Sequence, residues 1–291
     1  MEPFIEYSDY LERRYGAKTY RVSVDAGFSC PNRTAGRSRG GCSFCGSWGS
    51  RTPYVGGTAS LEEQISGGME FLRKRYGAKQ FLLYFQAYSG THAPVEELKS
   101  IYDRGLSCGD FRELIVSTRP DCLDAEKADL LASYRKPDRD VWVELGLQSA
   151  QEKTLRRIRR GHTLADFETA FALLRERKIK IAVHLVFGLP GENGEDIEAS
   201  LQYLSELKPE GVKIHNLHIV RTASLYEEFL CGELVLPCAE RHAQWILRAR
   251  AILPRETLFL RYTCDTPRAL LAYPRRFPEK GAFLRQLRSR F

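Results

Sequence analysis

The 291-residue sequence predicts an α/β fold built as an open, partial (β/α)6 parallel barrel. Three observations carry that expectation. Six short β-like runs alternate with amphipathic stretches in strict order. Several runs place polar residues on the same face, which suits strands that line a barrel interior. Every unusual motif follows the C-terminal end of a run, where parallel barrels carry their functional loops.

The runs are TYRVSV (19–24), FLLYF (81–85), ELIVS (113–117), VWVELGLQ (141–148), IKIAVHLVF (179–187) and GVKIHNLHIV (211–220). Between and after them, helical periodicity covers 60–76, 94–104, 124–134, 151–178 in two pieces, 194–207 and 239–252. Each crossover is expected to be right-handed. Six units are too few for a closed eight-stranded barrel, so the sheet is expected to stay open and to end on a further strand near 256–262. The expected division is a barrel domain over 1–265 and a basic C-terminal extension over 266–291. Tyr84 shares a face with Gln86, Glu144 with Gly146 and Gln148, and His184 with Ala182 and Val186. Polar groups aimed into a barrel are costly unless something satisfies them, which points to a ligand in the mouth.

Hydrophobic residues make up 43% of the chain and charged residues 28%, a composition for a folded core and not for a disordered chain. The first sixteen residues show no apolar core of a secretion signal, and no run of eighteen apolar residues follows, so a cytoplasmic protein without a membrane partner is expected. The formal charge is +7, with arginine-led clusters at RRIRRGH (156–162), RAR (248–250), RR (275–276) and in the tail. Arginine suits phosphate recognition, although a solvated helix face explains any one cluster as well. Five of the eight cysteines (108, 122, 231, 238 and 264) have no paired spacing and are expected to be buried small apolar side chains.

The other three, Cys30, Cys42 and Cys45, crowd into DAGFSCPNRTAGRSRGGCSFCG after the first run. Three thiolates suit a metal group that keeps one position open. With three cysteines, a [4Fe–4S] cluster leaves one iron free for a small molecule. A zinc site completed by a distant fourth ligand is the alternative. GRSRGG (36–41) supplies glycines to wrap the group.

With its aromatic residue before the last cysteine, this loop at the mouth of a partial barrel resembles that of radical S-adenosylmethionine (SAM) enzymes. The gap of eleven between the first two cysteines departs from the usual three, and together with DAGFSCPNR and GGCSFC it resembles the YhcC/YtqA-type branch, related to the radical SAM domain of the Elongator catalytic subunit. The resemblance continues through YFQAYSGT (84–91), STRPDCL (117–123), ELGLQS (144–149), RRGHT (159–163), HLVFGLPGE (184–192) and VKIHNLH (212–218), covering roughly 15–265, while RYTCD (261–265) matches loosely. It implies a radical SAM-type partial barrel with a [4Fe–4S] cluster on Cys30, Cys42 and Cys45, and SAM as cofactor. It places Phe44 against the adenine, Gln86 and Ser89 on the methionyl amine and Arg119 on its carboxylate. Glu144 or Gln148 with Ser149 takes the ribose, and the turn from Gly188 to Gly191 approaches the adenine. Capping or strand-end hydrogen bonds are the alternative role for each polar residue. His218 and Arg221 are the candidate catalytic contacts to substrate. On simple alternation His215 and His218 face opposite ways. Arg159, Arg160 and His162 are the candidate nucleic-acid contacts, with Thr163 as a competing helix cap.

For the branch, the resemblance implies modification of the C5 side chain of a tRNA wobble uridine, with a carboxymethylaminomethyl group as one such substituent. A flavodoxin- or ferredoxin-type protein is the expected reductant. A radical SAM enzyme acting on a metabolite or a protein is the second reading, and a non-catalytic metal-binding module the third.

Overall fold

The computed structural model describes residues 7–34, 39–46 and 59–290. Seven strands form one sheet: β1 (Thr19–Val24), β2 (Gln80–Phe85), β3 (Phe111–Thr118), β4 (Asp140–Gln148), β5 (Lys180–Phe187), β6 (Gly211–Asn216) and β7 (Leu258–Arg261). They pair in chain order and every pair is parallel. This is the expected open partial barrel, with the seventh strand near its expected place.

Helices α2 (Leu61–Tyr76), α3 (Val95–Ser107), α4 (Ala125–Ser133), α5 (Glu152–Arg157), α6 (Leu164–Glu176), α7 (Gly194–Leu207) and α9 (Ala239–Ile252) occupy the expected stretches. Their starts are chemically marked. Ser60 and Glu63 form a capping box on α2, Thr163 and Asp166 on α6, and Asn193 and Asp196 on α7. Thr163 is therefore a helix cap. The outward strand positions (Val22, Leu83, Val116, Val143, Val183, Val212) pack on these helices as one apolar layer.

Three elements lack a clear sequence signal. Helix α1 (Tyr7–Tyr15) carries Leu11 and its tyrosines against the inward-facing Leu82, Tyr84, Ile115, Trp142 and Ala182. It thus covers the interior at the end opposite the mouth. Short α8 (Leu225–Leu230) follows β6, and α10 (Lys280–Arg288) buries Phe283 and Leu287 in the main core. GVKIHNLHIV is not one strand. The chain leaves the sheet after Asn216, whose Oδ1 accepts from the Cys264 N–H and the Thr263 hydroxyl at 2.8 Å each. Ile219–Val220 then pairs antiparallel with Leu271–Tyr273, so strand alternation does not relate His215 to His218. Of the five scattered cysteines only Cys122 is buried; Cys231 and Cys238 are exposed, at the two ends of the segment between α8 and α9.

Candidate functional site

The loop after β1 is tied across the C-terminal end of the barrel. Ser89 N–H donates to Ser29 O (3.2 Å), Ser43 N–H to Ile158 O (2.8 Å) and Leu225 N–H to Ser43 O (2.9 Å). Asn32 Nδ2 donates to the carbonyls of Arg159 (3.0 Å) and Arg160 (2.6 Å). The cysteine loop is thereby fastened to the β2, β4 and β6 ends at once. Residues 36–38 of GRSRGG lie outside the described residues; Gly40 and Gly41 both take positive φ.

Cys42 is buried, and its Sγ faces Arg160 Nη1 at 3.4 Å, Asn32 Nδ2 at 3.5 Å and Arg119 Nη1 at 4.0 Å. The Cys45 thiol donates to it. That hydrogen bond, opposed by burial and reinforced by the two guanidiniums, holds Cys42 well below the ordinary thiol range. Cys42 and Cys45 therefore titrate as a pair whose first proton leaves readily. Cys30 lies close enough to bear on Arg119 and Cys122 electrostatically. Among the described residues no three Cys, His, Asp or Glu side chains converge on a single ion. Three cysteines on one tethered loop, two of them hydrogen-bonded to each other, form a donor set that would suit a [4Fe–4S] cluster with one iron left open.

Arg160 and His162 lie inside this site and not on a nucleic-acid surface. Both are buried. Arg160 Nε donates to His162 Nε2 (3.0 Å), its Nη2 to Gly146 O (2.9 Å) and its Nη1 to Cys42. Burial, then Arg160, push His162 down to about 4, so its ring is neutral. Gly161 between them has φ +82°, and a Cβ there would overlap Asn32. Only Arg159 of the three expected contacts is exposed.

Arg119 is also buried. Asp121 holds its fork at 2.7 and 2.8 Å, and Nη1 donates to Arg160 O at 2.7 Å. That guanidinium is already paired, unlike the free carboxylate partner expected from the sequence. The Ser89 hydroxyl meets Thr118 Oγ1 at 2.8 Å and accepts from Arg119 N–H at 3.2 Å. Gln86 is half-buried at the β2 end. Gln148 is buried with φ +75°, where the β4–β5 register shifts. Ser149 donates to Glu192, which burial raises to about 7. The Cβ side of Gly188 is filled by Pro237 at 2.6 Å, so on that side the turn faces protein.

Glu144 departs most from expectation. It is fully buried. Oε1 accepts from Arg21 (2.5 Å); Oε2 accepts from Lys213 (2.6 Å) and Tyr84 and meets His184 Nε2 at 2.9 Å. Burial opposes its charge, yet Lys213, Arg21 and His184 hold it well below the carboxylate range. Burial pushes Lys213 down to about 7 against the pull of Glu144. The inward polar residues thus satisfy one another, and Glu144 anchors that network in place of the expected ribose contact. Sequence alternation found the face; the partners Arg21 and Lys213 were missed because each stands singly in an apolar run.

His218 Nδ1 meets Thr266 Oγ1 at 2.9 Å, while its Nε2 is buried without a hydrogen-bond partner. Arg221 clips the following segment, with Nη1 donating to Ala269 O (3.3 Å) and Leu271 O (3.0 Å). Phe44 packs in an apolar cluster with Tyr226, Phe229 and Tyr273. Asn32 and Arg33, the latter donating to Gly46 O at 2.6 Å, also shape the loop; their NR pair carries no signal of that role.

The family model "Radical SAM superfamily" matches residues 32–204, and "Radical_SAM C-terminal domain" matches 209–291. Protein YhcC of Escherichia coli strain K12 is 39% identical over 224 residues, 77% of this chain and 71% of that protein. The tRNA uridine(34) acetyltransferase of Methanocaldococcus jannaschii is 28% identical over 161 residues, 54% of this chain and 29% of that protein. Among solved structures, Elp3 of Methanocaldococcus infernus superimposes with a TM-score of 0.69 at 20% identity, over 79% of this chain and 59% of that one.

Proposed function

The chain belongs to the radical SAM superfamily, and from that premise we propose that it modifies the C5 side chain of a tRNA wobble uridine. The cofactors of this superfamily are a [4Fe–4S] cluster and SAM. Cys30, Cys42 and Cys45 would hold the cluster. When bound, that group supplies the electron that cleaves SAM to methionine and a 5′-deoxyadenosyl radical, giving hydrogen abstraction that no side chain performs unaided.

The observation that carries the reading is the setting of Cys42. A buried thiol facing two buried guanidiniums and an amide N–H is kept anionic, as a metal thiolate must be, and its charge is balanced. Asn32 fixes the loop over the barrel, and α1 closes the far end, keeping water from the interior. Gln86, Ser89, Gln148 and Ser149 border the mouth, where SAM would lie. Arg159, exposed beside the mouth, is the nearest candidate contact to a phosphate. The tRNA assignment draws support from the acetyltransferase relative, whose name specifies uridine 34.

The test is nucleoside mass spectrometry of tRNA from cells with and without the protein. Accumulation of one wobble-uridine precursor without the protein is expected, reversed by the wild-type gene but not by Cys42→Ala. An unchanged wobble profile would move the substrate to a metabolite or a protein.

A further inference from the structure

A second concave site lies beside the mouth, between α8 and the chain after Leu271–Tyr273. It is a cavity of about 610 Å3 lined by Tyr226, Phe229, Tyr273, Arg275 and Arg276, among others. Its aromatic rings lie in series: Tyr226 and Phe229 are 6.4 Å apart at 22°, and Phe229 and Tyr273 are 5.8 Å apart at 43°. Among the described residues, no acidic one lines it. Of the carboxylates on neighbouring elements, Glu228 pairs with Arg157, Glu240 with Arg290 and Glu279 with Arg268, while Glu227 and Glu233 are exposed to solvent and do not line the pocket. Arg275 and Arg276 are exposed, and among the described residues neither has an ion-pair partner.

The pocket and the cysteine loop border one apolar cluster. The first residue of α8, Leu225, donates its N–H to Ser43 O, and Phe44 belongs to the same apolar cluster as the pocket's three rings. A ligand seated here therefore lies on the same apolar cluster that Phe44 of the cysteine loop packs against.

We propose that this pocket binds an unpaired nucleotide of the RNA substrate, flanking the base presented to the mouth, with its base against the Tyr226–Phe229–Tyr273 rings and its phosphate on Arg275 and Arg276. The inference rests on the RNA reading above. Half-buried aromatic rings with guanidiniums at the rim match a nucleotide, an apolar disc carrying an anion, better than a wholly apolar ligand. The uncompensated positive rim supplies the charge complementarity.

The experiment measures binding of a fluorescein-labelled tRNA anticodon stem–loop to the full chain by anisotropy across a salt series. Arg275→Gln/Arg276→Gln should weaken binding at least tenfold and flatten the log–log salt slope by about 0.7, the value for one single-strand phosphate. Phe229→Ala should weaken binding roughly tenfold through lost stacking, with little change in slope. Lys18→Gln/Lys79→Gln, at the opposite end of the barrel, should bind as wild type does. Because Phe229 also packs in the apolar cluster, thermal melts accompany each variant, and the exposed arginine pair decides the outcome. If wild type binds the stem–loop but the arginine pair leaves affinity and slope unchanged, the pocket assignment is overturned and the RNA reading stands. If wild type shows no salt-dependent binding, both fall. Loss of flavodoxin binding in the arginine variant, with RNA binding intact, would instead make the pocket a protein dock and overturn the proposal.

Discussion

Replacing Glu144 with Gln tests whether the barrel interior is a self-contained ion network. Glutamine keeps the shape and an acceptor for Tyr84, but it removes the one negative charge that Arg21 and Lys213 both face. Breaking a buried ion pair costs about 3–5 kcal/mol. Lys213 modulates that figure. Burial already pushes its pKa down to about 7, so it sheds its proton in the variant as pH rises. The loss should lie near the top of the range at pH 6 and near the bottom at pH 8.5. At about 2 °C per kcal/mol for a chain of this size, the melting temperature should fall by roughly 6–10 °C. Urea denaturation at the two pH values gives the free energies, and isothermal titration with SAM gives the affinity. An unchanged denaturation midpoint with lost SAM affinity would refute the reasoning and return Glu144 to the cofactor.

Gly161→Ala forces a side chain onto Asn32 at φ +82°; it should destabilise the fold by about 1–3 kcal/mol and lower iron retention after reconstitution, read by melts and metal analysis. Wild-type stability with full iron would show that the Asn32 clamp is dispensable. Glu192 has a folded pKa of about 7, raised by burial above its unfolded value. The folded state then binds more protons between about pH 4.5 and 7, so its contribution to stability falls as pH rises through that window, by at most about 1.4 kcal/mol per unit. Glu192→Gln should remove this slope in the difference between variant and wild-type urea curves. Identical slopes would place the titration elsewhere.

Much of this molecule is legible in its sequence, because parallel strands covered by helices write their period into the chain. FLLYF and IKIAVHLVF mark strands to within a residue or two, and ST-x-x-E/D-type boxes mark the starts of α2 and α6. The cysteine spacing marks the metal loop directly. What the sequence concealed is pairing at long range. Arg160 lies 118 positions from Cys42, and Lys213 lies 69 from Glu144. A cluster such as RRGHT therefore reads as a charged surface although two of its members turn inward, Arg160 onto the Cys42 thiol and a neutral His162 onto Arg160. The end of β6 was hidden for the same reason, since Asn216 stops the strand through Thr263 and Cys264, which lie far along the chain.

The cysteine loop's role is tested most directly by anaerobic reconstitution of the wild type beside Cys42→Ala, followed by iron and sulfide analysis and chromatography for 5′-deoxyadenosine. The wild type should carry about four irons and four sulfides and form deoxyadenosine under reduction. The variant should lose both cluster and product while keeping a folded far-ultraviolet spectrum. One zinc per wild-type chain, or deoxyadenosine formed undiminished without Cys42, would contradict the account.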